Sequence, residues 1–209
     1  MENLTVIVLA AGGGTRMKSK TMKVLHPVAG RSMIGHVLHA VQQTQPDQVV
    51  AVVGHQREQV GPHIAEIVPD VMLAVQETQE GTGHAVRVAM EACGANSGTV
   101  IVTAGDTPLL TGESLRAFAA EHEAAQRAVS ILSGRVPNPH GYGRIVRNAE
   151  GDVEAIVEEK DATSLQRDID EINSGILAFD VEFLLEALPR LTNNNANGAY
   201  YLTDTVQIA

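Results

Sequence analysis

An α/β fold with a doubly wound, mostly parallel mixed sheet, Rossmann-like and extended late in the chain by antiparallel strands, is what this sequence predicts. Short aliphatic runs alternate with amphipathic segments as far as Gln126, the rhythm of strand and crossover helix. The runs are apolar throughout instead of alternating in and out, as strands covered on both faces are. Aromatic residues make up only 3% of the 209 residues and Trp is absent, so the core must come from Val, Ile, Leu, Ala and Met.

The elements follow in order. Residues 4–10 (LTVIVLA) are an aliphatic run closed by glycines and predict the first strand. A loop covers 11–17. A helix starts near Ser32, because Met33, Ile34, Val37, Leu38 and Val41 share one face at helical spacing. Strands are predicted at 49–53, 71–75 and 99–103, with helical segments at 62–67, 84–92 and 113–126 between and after them. Beyond this the rhythm changes. A strand at 128–135 precedes two more, at 144–147 and 153–157, which flank the hairpin turn Asn148-Ala149-Glu150-Gly151. A strand at 172–179 and a helix at 181–191 come next, and the chain stops inside what reads as another helix.

The composition suits one globular domain, with 44% hydrophobic and 19% charged residues. A formal net charge of −10 argues against nucleic acid or an anionic membrane as partner, while a small polyanion would need its own cluster of Lys and Arg. Cys93 is the single cysteine and can form no internal disulfide. The first residues show no basic segment ahead of a long apolar run, so neither a signal peptide nor a membrane span is expected, and a cytoplasmic location is.

In open α/β sheets, ligands bind beyond the carboxyl ends of the strands. The polar, glycine-rich stretches here follow the first, third and fourth strands. The first is Leu9-Ala10-Ala11-Gly12-Gly13-Gly14-Thr15-Arg16-Met17, where small residues let backbone N–H groups approach an anion. Arg16 can pair with phosphate oxygens, and Lys23 adds a point charge. Taken alone, the loop equally fits a tight turn with two solvated cations. It does not complete a dinucleotide fingerprint, because Met17 stands at the third glycine position, and it lacks the Gly-Lys-Ser/Thr ending of an ATPase phosphate loop. The second stretch, 76–83, holds Gln76, whose amide can offer both a donor and an acceptor, and Thr82, which could simply cap the next helix. The third, Gly105-Asp106-Thr107-Pro108, presents a carboxylate suited to a hard cation, or an ordinary turn Asp.

The order of these segments resembles that of the sugar nucleotidyltransferases. Leu9-Ala10-Ala11-Gly12-x-Gly14-Thr15-Arg16-Met17 followed by Lys23-Val24-Leu25-His26, then 76–85, Gly105-Asp106, Gly141-Tyr142-Gly143-Arg144-Ile145, 156–162, 171–176 and Tyr200-Tyr201-Leu202-Thr203-Asp204, is similar to the N-acetylglucosamine-1-phosphate uridylyltransferase domain of the bacterial GlmU family. The resemblance implies the nucleotide-diphospho-sugar transferase fold. It also implies transfer of a uridylyl group from UTP to N-acetylglucosamine 1-phosphate, with Mg²⁺ as cofactor.

By the same resemblance Leu9, Ala10, Ala11, Gly12, Gly14, Thr15 and Lys23 hold the nucleotide, and Gln76, Gly81 and Thr82 recognise uracil. Arg16 and Lys23 are the catalytic cations and Asp106 the metal ligand. Ala104, Gly105, Gly143, Glu158 and Asn173 hold the sugar. A different sugar 1-phosphate, or a non-catalytic nucleotide-sugar binding module, remain the alternatives. The chain departs from the pattern at Met22, where the family usually has Pro, at Gly13 and at Ala104. The family's full protein continues with an asparagine that shares the metal and a β-helix acetyltransferase domain that drives trimer formation. Residues 1–209 therefore read as a uridylyltransferase domain cut short at its C-terminus, with no trimer expected.

Overall fold

The computed structural model describes residues 3–13 and 21–209. β1 (Leu4–Leu9) is followed in element order by a 3-10 turn at Lys23–Leu25 and a small hairpin of β2 (Pro27–Val28) and β3 (Arg31–Ser32). The hairpin turn places Ala29 at φ 49° and Gly30 at φ 83°, the left-handed pair that matches strand twist. Two-residue strands carry no periodicity, and sequence analysis did not predict them.

α1 (Met33–Gln42) starts where expected. Ser32 is its N-cap, its Oγ accepting from the Gly35 N–H at 3.0 Å. β4 (Gln48–Val53) leads to α2 (Arg57–Ile67), which begins five residues before Pro62, so the proline lies inside the helix and not at its start. β5 (Met72–Val75), α3 (Thr82–Cys93), β6 (Thr99–Ala104) and α4 (Gly112–Ala124) complete the winding. β7 (Val129–Arg135), the hairpin β8 (Arg144–Arg147) and β9 (Val153–Val157), the short α5 (Ser164–Arg167) and β10 (Glu171–Asp180) follow. The last predicted helix splits. α6 (Val181–Ala187) gives way to a 3-10 turn at Leu188–Arg190, since Pro189 has no N–H to continue the α pattern. The chain closes on a 3-10 helix at Leu202–Gln207.

The sheet runs β5-β4-β1-β6-β10-β8-β9, with β7 also paired to β10. β5, β4, β1 and β6 are mutually parallel; every later pairing is antiparallel. Successive residues of β1 feed two separate cores. Leu4, Val6 and Val8 pack with Ile34, Val37 and Leu38 of α1, Ile64 of α2 and Leu115 of α4. Ile7 packs on the opposite face with Val86 and Ala89 of α3 and with Val181 and Leu184 of α6. The result is helix, sheet, helix in three layers. The chain leaves β1 for β4 on one side and later adds β6 on the other. The carboxyl ends of β1 and β6 therefore form the crevice where winding reverses.

Candidate active site

The crevice holds one charge pair built from distant sequence. Lys23, in the 3-10 turn after the first loop, places Nζ 2.5 Å from Oδ2 of Asp106, in the turn after β6. Both side chains are partly open to solvent, at 38% and 29% exposure. The two turns are fastened at their roots. The Gly105 N–H donates to the Leu9 carbonyl at 2.9 Å, and Thr107 Oγ1 donates to the Ala104 carbonyl at 3.1 Å. A Cβ on Gly105 would lie 3.2 Å from the Leu9 oxygen and 3.3 Å from Ile34, so only a small residue sits there comfortably. Met22, at the family's proline position, has φ −55°, the angle a proline imposes, and its side chain is buried. The backbone ahead of Lys23 thus has the shape Pro would give it, held by packing.

Along the carboxyl edge of the sheet the other predicted residues fall into two groups. At the β1 and β5 ends, Ala10 is buried with its N–H on the Val52 carbonyl at 2.8 Å. The Ala11 carbonyl accepts from Gln79 Nε2, which draws the loop after β5 onto the first loop. Gly12 is exposed, with open space where a side chain would be. Gln76 is buried, and its amide nitrogen meets the Gly81 carbonyl at 3.1 Å and His84 Nδ1 at 3.2 Å. Gly81 has φ +112°, and a Cβ there would stand 2.5 Å from the Tyr200 carbonyl oxygen. Thr82 does not cap α3. Its Oγ1 accepts from the Leu202 N–H at 3.0 Å, while Tyr200 bonds Glu80 and Gly83 through its backbone at 2.7 and 2.8 Å. The stretch 200–202 therefore clamps the glycine corner. A cavity of about 290 Å³ opens beside this group, lined by Ala11, Gly13, Met22, His55, Gln56 and Gln79. The predicted Gly14, Thr15 and Arg16 lie outside the described residues.

The second group is Gly143, Glu158 and Asn173. Leu177 of β10 pairs with Val102 of the antiparallel β6, so Asn173, four residues earlier, lies past the end of β6 beyond Ala104. The Asn173 N–H donates to the Gly143 carbonyl at 2.9 Å, and a Cβ on Gly143 would come within 3.4 Å of Glu158 Oε1. Glu158 accepts from Thr203 Oγ1 at 3.2 Å. Burial, helped by the nearby charges of Asp204 and Asp161, pushes its carboxyl above the ordinary carboxylate range. Glu158 also borders a cavity of about 460 Å³, with Asp161, Arg190, Asn195, Tyr201 and Asp204 on the other walls. Sequence analysis quoted the Tyr200–Asp204 stretch without giving it a task. Its clamp on Gly81–Gly83 and the Thr203 bond to Glu158 are contacts over 40 residues or more, which no local pattern reveals.

His122 shares a 2.8 Å bond with Ser130, and His63 a 2.7 Å bond with Ser32. Among the described residues no three or more His, Cys, Asp or Glu gather into a cation cage. A lone, partly exposed carboxylate facing a lysine is a donor set that fits Mg²⁺ held mainly by phosphate oxygens and water. No helix among the described residues is long and apolar enough to cross a membrane.

A three-layer α/β fold with a cation and a carboxylate at its switch point is a nucleotide-site architecture, and the chain belongs to the MobA-like NTP transferase domain family, whose model matches residues 6–172. More narrowly, it is similar to the bifunctional protein GlmU of Streptomyces coelicolor, 58% identical over 205 residues, and to that of Thermobifida fusca, 56% identical over 207. These alignments cover 97% of the chain but only 42% and 43% of those proteins, so the chain spans less than half their length. In the fold it is similar to a UDP-glucose pyrophosphorylase solved with UDP-glucose, at TM-score 0.80 and 17% identity, covering 98% of this chain and 85% of that one.

Proposed function

We propose that residues 1–209 form a nucleotidyltransferase domain that moves a uridylyl group from UTP to N-acetylglucosamine 1-phosphate, releasing pyrophosphate. The observation that carries this reading is the 2.5 Å pairing of Lys23 with Asp106 in the crevice between β1 and β6. It supports the reading because a cation and a carboxylate set side by side could serve one triphosphate and its metal ion. The choice of uracil and N-acetylglucosamine rests on the motif resemblance described above.

In the reaction, a phosphate oxygen of the sugar 1-phosphate attacks the α-phosphorus of UTP in line. The new O–P bond forms as the bond to the β-phosphate bridging oxygen breaks, and its electron pair leaves with pyrophosphate. The nucleophile is already an anion, so no general base is needed. Asp106 would hold Mg²⁺, which supplies charge neutralisation for the triphosphate when bound. Lys23, with Arg16, braces the phosphates as negative charge shifts to the leaving group. Gln76 and the backbone at Gly81 and Thr82 orient uracil. Gly143 brings backbone to the sugar, and Glu158 and Asn173 bond its hydroxyl and acetamido groups, fixing the attacking oxygen in place.

Mixing the chain with UTP, N-acetylglucosamine 1-phosphate and MgCl₂ tests the reading. Pyrophosphate should appear only with all three present. Glucose 1-phosphate, CTP and dTTP run in parallel should give markedly slower release. Equal or faster release with one of these would reassign the substrate, and tight UDP-N-acetylglucosamine binding with no release under any combination would leave a binding module.

A further inference from the structure

Arg144 is 1% exposed and is the largest fully buried side chain of the described residues. A guanidinium out of water must be paired and hydrogen-bonded or it destabilises the fold. Here its Nη1 donates to the Tyr142 carbonyl, and its Nη2 donates to the Arg167 carbonyl at 3.3 Å and lies 2.8 Å from Glu159 Oε2. Its Nε is buried with no partner. The Glu159 carboxylate continues the network. It accepts from the Gly141 N–H at 3.1 Å and stands 3.4 Å from His140 Nδ1. The Gly141 and Arg144 bonds hold it below the usual carboxylate range.

Three separate chain segments are joined in this way: the loop entering β8, the loop leaving β9 and the end of α5. Two proposed sugar contacts are each one residue from a member of the knot, and a third is bonded to one of those two, while Ala104 and Gly105 lie on β6 and the turn after it, outside the network. Gly143 precedes Arg144, and Glu158 precedes Glu159. Asn173 follows Ile172, the β10 residue in register with Arg144, and bonds Gly143 itself. The nucleotide residues Lys23, Gln76 and Gly81 stand on other elements with no bond into the network.

We propose that Arg144 and Glu159 are positioning residues for the sugar half of the site, setting the spacing of Gly143, Glu158 and Asn173 without touching substrate. The proposal rests on the uridylyltransferase reading and adds to it a division of labour. Affinity for the sugar depends on this half-buried ion pair, and affinity for the nucleotide does not.

The test compares the unmodified chain with Glu159→Gln and Arg144→Lys by calorimetric binding of UDP and of UDP-N-acetylglucosamine, and by separate KM values for UTP and sugar 1-phosphate. The unmodified chain should bind the sugar nucleotide more tightly than UDP. Glu159→Gln keeps the side-chain shape, so it should fold, and it should lose about tenfold in UDP-N-acetylglucosamine affinity. Its UDP affinity should stay within about twofold, and the KM for sugar 1-phosphate should rise in step. Arg144→Lys should show the same split more strongly. Equal losses for both ligands in Glu159→Gln would mean the pair only holds the fold together, and no loss for either would remove it from the site. Both results overturn the proposal while leaving the function intact. Failure of the unmodified chain to bind either ligand would sink the functional reading and this inference together.

Discussion

Lys23 and Asp106 neutralise each other across 83 residues of sequence, and both remain partly open to solvent. A pair so exposed contributes roughly 1 kcal/mol or less to stability. Its value lies in what it can exchange. The carboxylate can take a cation, and the ammonium can turn to phosphate, without either charge being left buried. Lys23→Ala should therefore lower kcat by about 10²-fold or more while the melting temperature moves by only a few degrees. An unchanged rate of pyrophosphate release would remove Lys23 from catalysis. Asp106→Asn keeps the shape and removes the charge. It should shift the magnesium dependence of the rate to higher concentration, and an unaltered titration would rule Asp106 out as the ligand. At this scale the sequence was readable only through its motif order. A lysine near a glycine loop and an aspartate in a proline turn are each ordinary, and what joins them is the parallel register of β1 and β6, Leu9 beside Ala104. Thr203 and Tyr200 were not readable as contacts at all, because their partners are Glu158 and the 80–83 corner.

Elements were legible in proportion to their length. The buried strands stood out because aliphatic runs ending in glycine leave little else for the chain to do, and α1 was marked by both its apolar face and Ser32. The β2–β3 hairpin and α5 were too short to show a period. For α2 only the part from Pro62 to Ile67 was read as helical, although the helix begins at Arg57. The corner between β5 and α3 lies at an element boundary within the proposed uracil site. Gly81 is held at a φ of +112° and has the Tyr200 carbonyl where a Cβ would be, so two separate constraints select glycine. Gly81→Ala should destabilise the chain by about 2 kcal/mol or more, since the Tyr200 backbone must move and its bonds to Glu80 and Gly83 with it. UDP affinity should fall as well. A variant with wild-type denaturant midpoint and wild-type UDP binding would show that the clamp is dispensable.

The whole molecule joins a parallel half, which carries the proposed nucleotide residues, to an antiparallel half, which carries Gly143, Glu158 and Asn173 of the proposed sugar contacts, with β10 between them. How the halves would meet was not legible, because antiparallel pairing of β10 with β6, β7 and β8 depends on contacts from 28 to 81 residues away. That seam contains the groups that govern behaviour in acid. Glu171, at the start of β10, is bonded by Arg147 Nε and Nη2 at 2.9 and 2.8 Å and by Ser133 at 2.8 Å, and Arg147 above all brings its carboxyl down to about 2. His122 of α4, bonded to Ser130 of β7, is held below its ordinary value chiefly by burial. The charges of Asp180 and Glu123 act against that shift, and the charge of Arg127 acts with it. The two groups work in different windows. For His122 the unfolded chain binds the proton more readily, so stability falls as pH drops below about 6.5. For Glu171 the ion pair is fully present above the unfolded value near 4.5 and is lost as pH falls from there toward 2. Glu158 and Asp204 have raised values and oppose the trend, because the folded chain takes up their protons first. Differences between variants isolate each term. A thermal melt series from pH 8 to 3 should show Glu171→Gln least stable relative to the unmodified chain at pH 6 to 8, with the gap closing below pH 4.5. His122→Asn should flatten the decline between pH 7 and 5 without changing it at lower pH. If the Glu171→Gln gap stays constant across the whole range, the bond between β10 and the β8 strand is not electrostatic, and the seam is held by its apolar faces alone.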